Sequence, residues 1–147
     1  MNFNLYSLII VVFFIFLLFL FRKKEITKID LKKIDNMNGL EFEHYFGKIL
    51  KERNFFKVEV TKGSVDFGVD IICFNKNKKY VFQLKRYSKK VGVAAIQEII
   101  AGKEYYKANK AIVVTNNYYT AQAIEMARKC NVLLIDRDNF KLNKFNI

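Results

Sequence analysis

An uncharged apolar run near the N-terminus is the feature that most constrains how this chain can fold. From Leu5 to Phe21 the sequence LYSLIIVVFFIFLLFLF contains no charged residue, no glycine and no proline. At 1.5 Å per residue, a helix over residues 3–21 would be roughly 28 Å long, close to the hydrocarbon thickness of a bilayer. A buried core helix normally carries a polar stripe, whereas the polar residues of this run lie at its start. We therefore predict one transmembrane helix.

The flanks of this run favour an uncleaved anchor over a secretory signal peptide. A signal peptide begins with a basic region and ends in small residues, but here no basic residue precedes the run and Arg22, Lys23 and Lys24 follow it. The positive-inside rule then places the C-terminal part of a single-pass cell-membrane protein in the cytoplasm. The predicted organisation is a transmembrane anchor over 1–21, a basic juxtamembrane linker or short helix over 22–37, and one domain over 38–147.

The charge of the chain lies entirely outside the apolar run. The formal net charge is +12, and residues 1–21 contain no Lys, Arg, Asp or Glu. Anionic lipid head groups and nucleic acid are the two partners that such a basic surface attracts. The two cysteines, Cys73 and Cys130, lack CxxC spacing and would stay reduced in the cytoplasm. They indicate neither a disulfide framework nor a zinc site.

Hydrophobic periodicity in the C-terminal part predicts the element order α-β-β-β-α-β-α-β. The stretch LEFEHYFGKILKER has apolar residues at helical spacing, and Asn38 precedes it as a candidate N-cap. The runs VEVT, VDIICF and KYVFQLKRY are separated by turn residues, which is typical of a β-meander. The later runs AIVVT and VLLID are apolar without alternation, as in strands covered on both faces. We predict an α/β fold with a mixed five-stranded sheet flanked by helices.

Polar residues on the predicted strand YVFQLKRY indicate a functional face. Side chains alternate between the two faces of a strand, so Gln83 and Lys85 share one face while Phe82 and Leu84 share the other. An edge strand with one solvated face would give the same pattern. Asp70 opens the preceding strand, and if the two strands form a hairpin, a carboxylate, an amide and an amine converge. Oxygen ligands of this kind suit Mg²⁺, and a nearby lysine can orient water for phosphodiester hydrolysis.

Several motifs together resemble a known nuclease family. In chain order they are LEFEHYFGKIL, GSVDFGVDI, YVFQLKRY, VGVAAIQEI, AIVVTNNYYTAQA and LLIDRDNF, spread over roughly residues 37–139. This pattern resembles the catalytic domain of Mrr-type restriction endonucleases, a branch of the PD-(D/E)xK nuclease superfamily. The resemblance implies a restriction-endonuclease-like fold and cleavage of double-stranded DNA with Mg²⁺ or Mn²⁺. The implied catalytic residues are Glu43, Asp70, Gln83 and Lys85, with Glu43, Asp70 and Gln83 as metal ligands.

Two glutamates compete for the helix position of that site. Glu43 shares one helical side with Leu40, Phe46 and Leu50, whereas Glu41 lies on the polar side. We therefore predict that Glu43 points inward, although a partly exposed surface acid is the alternative.

Two further polar residues lie close to these motifs. His44, the only histidine, falls on the polar side of its helix and is assigned no role. Asp66 lies in a glycine-bounded turn, where an aspartate usually accepts hydrogen bonds from its own loop, so whether it joins the site is left open.

Five basic residues around YVFQLKRY are candidates for DNA contact. They would neutralise phosphates beside a nuclease site, although a charge run is often only a solvated face. The five residues are Lys78, Lys79, Arg86, Lys89 and Lys90.

The sequence as a whole predicts a membrane-anchored, cytoplasm-facing, Mg²⁺-dependent DNA endonuclease that acts in restriction and defence. One alternative is a structure-selective nuclease of the junction-resolvase kind, and another is a non-catalytic protein that tethers DNA to the membrane. A homodimer is expected, because cutting both strands needs two active sites or two visits. We recognise no base-reading motif, so the sequence predicts no preference for a DNA sequence or modification.

Overall fold

A mixed five-stranded sheet forms the centre of the domain. The computed structural model of the protein describes residues 5–20, 29–61, 67–143, 145 and 147. The strands are β1 (Phe56–Val60), β2 (Ile71–Asn75), β3 (Lys78–Lys85), β4 (Lys110–Thr115) and β5 (Val132–Ile135). They lie side by side in chain order. The β1–β2 and β2–β3 pairs are antiparallel and the β3–β4 and β4–β5 pairs are parallel, which confirms the predicted mixed sheet.

Six helices are described in the structure. They are α1 (Leu5–Leu20), α2 (Leu31–Asp35), α3 (Gly39–Glu52), α4 (Val93–Tyr105), α5 (Ala121–Lys129) and α6 (Arg137–Lys141). From α3 to β5 the elements follow the predicted order, and Asn38 caps α3 by accepting a hydrogen bond from the Glu41 amide at 2.9 Å. The last helix was not predicted, because its five residues are too few to show a period. It begins after Asp136, whose side chain accepts from the amides of Asp138 and Asn139.

The two faces of the sheet bury different helices. Phe82 and Leu84 of β3 lie in an apolar cluster with Phe42 and Phe46 of α3. Val81 projects the other way, into a second cluster that contains apolar residues of α4 and α5. The apolar face predicted for β3 therefore packs on α3. The opposite face, which carries Gln83 and Lys85, is on the side of the sheet where α4 packs.

The packed core includes residues N-terminal to the boundary predicted at residue 38. Ile34 of α2 is fully buried, and Ile29 and Met37 are each 8% exposed within the α3-side cluster. Short as it is, α2 therefore contributes to the domain and does not only link it to the N-terminal segment.

The described part of the N-terminal apolar run is shorter than predicted. Helix α1 contains 16 residues, about 24 Å at 1.5 Å per residue, against a hydrocarbon core of about 30 Å. Within the described residues, no helix has both the length and the apolar character needed to cross a membrane. The predicted transmembrane helix is thus not supported, and residues 1–4 and 21–28, on which the prediction also relied, lie outside the described part.

Candidate active site

The predicted hairpin of β2 and β3 is present and places Asp70 beside Gln83. Ile71 pairs with Phe82 in the antiparallel register, so Asp70, one residue earlier, stands opposite Gln83. The Asp70 amide donates to the Phe82 carbonyl at 2.8 Å, and Asp70 Oδ2 accepts a hydrogen bond from the Leu84 amide at 2.5 Å. The main chain of β3 therefore holds the Asp70 carboxylate at this end of the sheet.

A single carboxylate oxygen on α4 joins Gln83 and Lys85. Glu98 Oε2 accepts hydrogen bonds from Gln83 Nε2 at 2.5 Å and from Lys85 Nζ at 3.1 Å. The Gln83 side chain is fully buried, whereas those of Lys85 and Glu98 are 21% and 48% exposed. Because a buried amide and a half-buried ammonium are costly without partners, this one acid stabilises both. The structure thus adds Glu98 to the residues expected at the site.

Glu98 sits at the border of the buried face of its helix. Its neighbours three residues before and four residues after, Ala95 and Gly102, are buried, as is the adjacent Ile99. The motif VGVAAIQEI therefore contains an acid that flanks an apolar stripe at helical spacing. This helical position is the feature of the sequence that points to Glu98. It does not show which strand residues contact the Glu98 carboxylate.

A glycine turn closes over this group of residues. Gly68 has a φ of +74°, a conformation that other residues adopt only with strain. A Cβ at this position would lie 2.5 Å from Gln83 Nε2 and 2.9 Å from Glu98 Cβ. Glycine is therefore required here by both backbone conformation and space, and the turn that precedes Asp70 packs directly on the site.

The structure separates the two candidate glutamates of α3. Glu41 is exposed and completes the helix cap, since its Oε2 accepts from the Asn38 amide at 2.7 Å. Glu43 is half-buried, so its burial fits both the predicted inward position and the alternative of a partly exposed surface acid. However, α3 packs on the Phe82 face of β3, opposite the face that carries Gln83. Glu43 therefore belongs to a helix on the other layer of the domain.

Three neighbouring residues complete this comparison. Leu40, which was expected to share the inward side of α3, is 58% exposed. His44 is exposed, as expected for a solvated residue. Asp66 lies outside the described residues.

The five predicted DNA-binding residues fall into two groups. Lys78 and Lys79 begin β3, so at about 3.3 Å per residue Lys78 lies about 23 Å from Lys85. They do not flank the site as the sequence suggested, because the strand is extended and its two ends are far apart. Arg86 directly follows Lys85, and Lys89 and Lys90 come four and five residues after it. Lys89 and Lys90 are exposed, whereas Arg86 is half-buried.

An ion-pair network supports the segment after Lys85. Arg137 donates to both carboxylate oxygens of Asp35, at 2.9 and 2.8 Å, and Asn116 Nδ2 donates to Asp35 Oδ1 at 2.9 Å. The hydrogen bond from Arg137 lowers the pKa of Asp35, so this carboxylate is charged at neutral pH. Asn116 Oδ1 in turn accepts from the Tyr87 amide at 2.9 Å. The network ties α2 and α6 to the chain that leaves β3.

The oxygen atoms at the site suit a hard divalent cation. Among the described residues no group of three or more His, Cys, Asp or Glu side chains forms a metal cluster. The site instead offers the carboxylates of Asp70 and Glu98 and the amide of Gln83, whose Oε1 is buried without a hydrogen-bond partner in the described part of the chain. An unpartnered buried oxygen is costly unless a water or a cation contacts it, and Mg²⁺ prefers oxygen ligands. These three residues therefore fit the metal that the family resemblance implies.

Two solved structures share the fold of the domain. One is a protein of unknown function, AF1548, with 16% identity and a TM-score of 0.59, and the match covers 67% of this chain and 58% of that one. The other is the DNA modification-dependent restriction endonuclease AspBHI, with 18% identity and a TM-score of 0.57, and the match covers 75% of this chain and 32% of that one. This chain thus spans less than two thirds of the length of either protein.

A family comparison identifies the domain more specifically. No curated protein matches this chain. The family model Mrr_cat, described as a restriction endonuclease, matches residues 34–142, which include every strand of the sheet and the residues gathered around Glu98. Because this match covers well over half of the sequence, the chain belongs to the Mrr_cat restriction endonuclease family.

Proposed function

We propose that this protein is a DNA endonuclease that hydrolyses phosphodiester bonds with the help of Mg²⁺ or Mn²⁺. The observation that carries the proposal is that Gln83 and Lys85 both donate hydrogen bonds to one carboxylate oxygen of Glu98. The Asp70 carboxylate lies beside Gln83 and accepts a hydrogen bond from the main chain of β3. One end of the sheet thus gathers a buried amide, an ammonium and two carboxylates. Packing alone does not require polar side chains at this position. The family match supports the same reading.

Each residue of the group has a distinct role in this proposal. Asp70, Glu98 and Gln83 would hold the cation, which when bound offsets the negative charge that develops on the phosphate. Lys85 donates hydrogen bonds to the phosphate or to the attacking water, and Glu98 keeps its ammonium in place. In the reaction a water oxygen bonds to phosphorus as the bond to the leaving sugar oxygen breaks. Lys89, exposed just beyond the site, would bind the DNA backbone.

Glu43 is proposed as a second acid of the site on the strength of the family resemblance. It is half-buried on α3, which packs on the opposite layer of the domain from the helix that carries Glu98. The two glutamates can be compared directly by substitution, since they lie on different helices.

The biological role that we propose is restriction of foreign DNA. AspBHI is described as dependent on DNA modification, but this chain covers only 32% of it. Our proposal therefore concerns strand cleavage and includes no recognition of a modified base. A homodimer would supply two sites for the two strands of a duplex.

Cleavage by the full-length protein tests the proposed function. We expect purified protein to nick supercoiled plasmid DNA in Mg²⁺ or Mn²⁺ and to stop when a chelator is added, because the oxygen ligands need a cation to act on phosphate. A four-way junction assayed in parallel distinguishes a restriction-type enzyme from a junction-resolving one. Metal-dependent cleavage of neither substrate would contradict the proposal and favour a non-catalytic DNA-tethering protein.

We also propose that the N-terminal segment attaches the domain to the cell membrane with the domain in the cytoplasm. Helix α1 contains no charged residue, and its described side chains from Leu8 to Ile15 are 53–67% exposed. Exposed apolar surface of this extent is unusual for a monomer in water.

Reporter fusions at the C-terminus test this location. A reporter that works only in the cytoplasm should be active in the membrane fraction, and one that works only outside should be silent. Activity of the outside reporter would contradict the orientation, and recovery of the full-length protein in the soluble fraction would contradict attachment.

A further inference from the structure

Two exposed aromatic rings lie next to the proposed site. The ring centroids of Phe67 and Tyr105 are 4.6 Å apart, and the two residues are 47% and 59% exposed. Tyr106 packs partly buried against the α4-side cluster, and its ring centroid is 5.0 Å from that of Tyr105 in an edge-to-face arrangement. A pair of exposed aromatic faces offers a stacking surface that neither apolar cluster of the domain uses.

The position of this aromatic pair is fixed relative to the site. Phe67 directly precedes Gly68, the residue that packs against Gln83 and Glu98. Phe67 itself has a φ of +50°, a backbone conformation that is uncommon for a bulky side chain. Tyr105 follows Glu98 by seven residues, which is two helical turns on the same side of α4, or about 10 Å.

The surroundings of the aromatic pair are basic. Lys79 lies on the same side of the sheet as Gln83, and its Nζ donates to the Tyr106 carbonyl at 2.9 Å. Lys107 is exposed two residues after Tyr105. The nearby Glu104 is paired with Lys103 at 3.6 Å. The charge around the rings is therefore of the sign that attracts a phosphate backbone.

We propose that Phe67 and Tyr105 bind an unpaired nucleobase of the DNA strand that the site cuts. Aromatic rings beside lysines bind single strands by stacking on the faces of bases, which a paired duplex does not present. A distance of about 10 Å corresponds to about three nucleotides of a stacked strand, so the bound base lies close to the scissile phosphate. The inference rests on the proposed nuclease function, and it names DNA with unpaired bases near the cut as the preferred substrate.

Binding of a fluorescent base analogue tests the proposal. Duplex DNA with a short unpaired bubble that contains 2-aminopurine is mixed with the full-length protein in chelator, so that no cleavage occurs. The emission should fall as the base stacks. Phe67→Ala and Tyr105→Ala should abolish this quenching and weaken binding of the bubble by about 5- to 150-fold, the range for loss of one stacked base. Affinity for a fully paired duplex should not change.

Control variants separate this proposal from the proposed function. Leu142→Ala removes an exposed apolar side chain, 64% exposed, next to α6 on the other layer of the domain, and it should bind both DNAs like the parent. Lys85→Ala should keep the quenching while it loses cleavage. Circular dichroism checks that each variant is folded.

Each outcome has a defined meaning. If the parent cuts DNA but the aromatic variants bind bubble and duplex as the parent does, the stacking proposal is wrong and the nuclease proposal stands. Equal loss of affinity for both DNAs would also overturn the stacking proposal. If the parent stacks the base but cuts no DNA in Mg²⁺ or Mn²⁺, the nuclease proposal fails alone.

Discussion

Replacing Lys85 by alanine is expected to reduce Mg²⁺-dependent DNA cleavage at least a hundredfold while leaving the fold and most DNA affinity intact. Loss of a positioned acid-base group typically lowers a rate by a hundredfold to ten-thousandfold, on the order of 3 to 5 kcal/mol in the activation barrier. Asp70→Ala should have an effect of the same size, because its carboxylate is held beside Gln83 by the Leu84 amide. Rates of plasmid nicking in Mg²⁺ and in chelator measure both effects.

A matched lysine provides the control for this experiment. Lys103 is 29% exposed, close to the 21% of Lys85, and it also pairs with a glutamate of α4. Lys103→Ala should therefore cut DNA at nearly the parent rate, since its ion pair lies outside the site. If folded Lys85→Ala cuts DNA as fast as the parent, the assignment of the site to the β3 face is wrong.

The local part of this site could be predicted from the sequence because a strand has a period of two. Gln83 and Lys85 were placed on one face of β3, and the structure has them there with Phe82 and Leu84 on the other. The hairpin that brings Asp70 to them followed from the turn residues between two β-rich runs. These conclusions needed only the geometry of neighbouring residues in the chain.

Contacts between distant elements could not be predicted in the same way. Glu98 is 13 residues from Lys85, and whether it faces the site depends on how α4 packs on the sheet, which periodicity does not specify. For the same reason Lys78 was expected near Lys85, although an extended strand separates them by about 23 Å. The prediction for α3 placed Leu40 on the same inward side as Glu43. Leu40 lies in the first turn of the helix and is exposed.

Among residues that the sequence did not assign to the site, substitution of Glu98 is expected to have the largest effect on DNA cleavage. Glu98→Gln keeps the size of the side chain but removes its negative charge. The substitution therefore weakens the hydrogen bonds that Glu98 Oε2 accepts from Lys85 and Gln83. We expect cleavage to fall about tenfold to a hundredfold, since charge-assisted hydrogen bonds are worth about 1.5–3 kcal/mol. The control is Glu104→Gln on the same helix, whose exposed acid pairs with Lys103 at 3.6 Å.

The dependence of the Glu98→Gln rate on Mg²⁺ concentration then shows how Glu98 acts. If Glu98 holds the cation, the variant needs more Mg²⁺ to reach half its maximal rate; if it only positions Lys85, the maximal rate falls with the same Mg²⁺ requirement. Glu43→Gln is expected to lose activity as well, whereas Glu41→Gln should stay near the parent, because glutamine also completes the cap of α3. If folded Glu98→Gln cuts DNA as fast as the parent, the assignment of Glu98 to the site is wrong. Glu43 would then be the acid that acts together with Asp70.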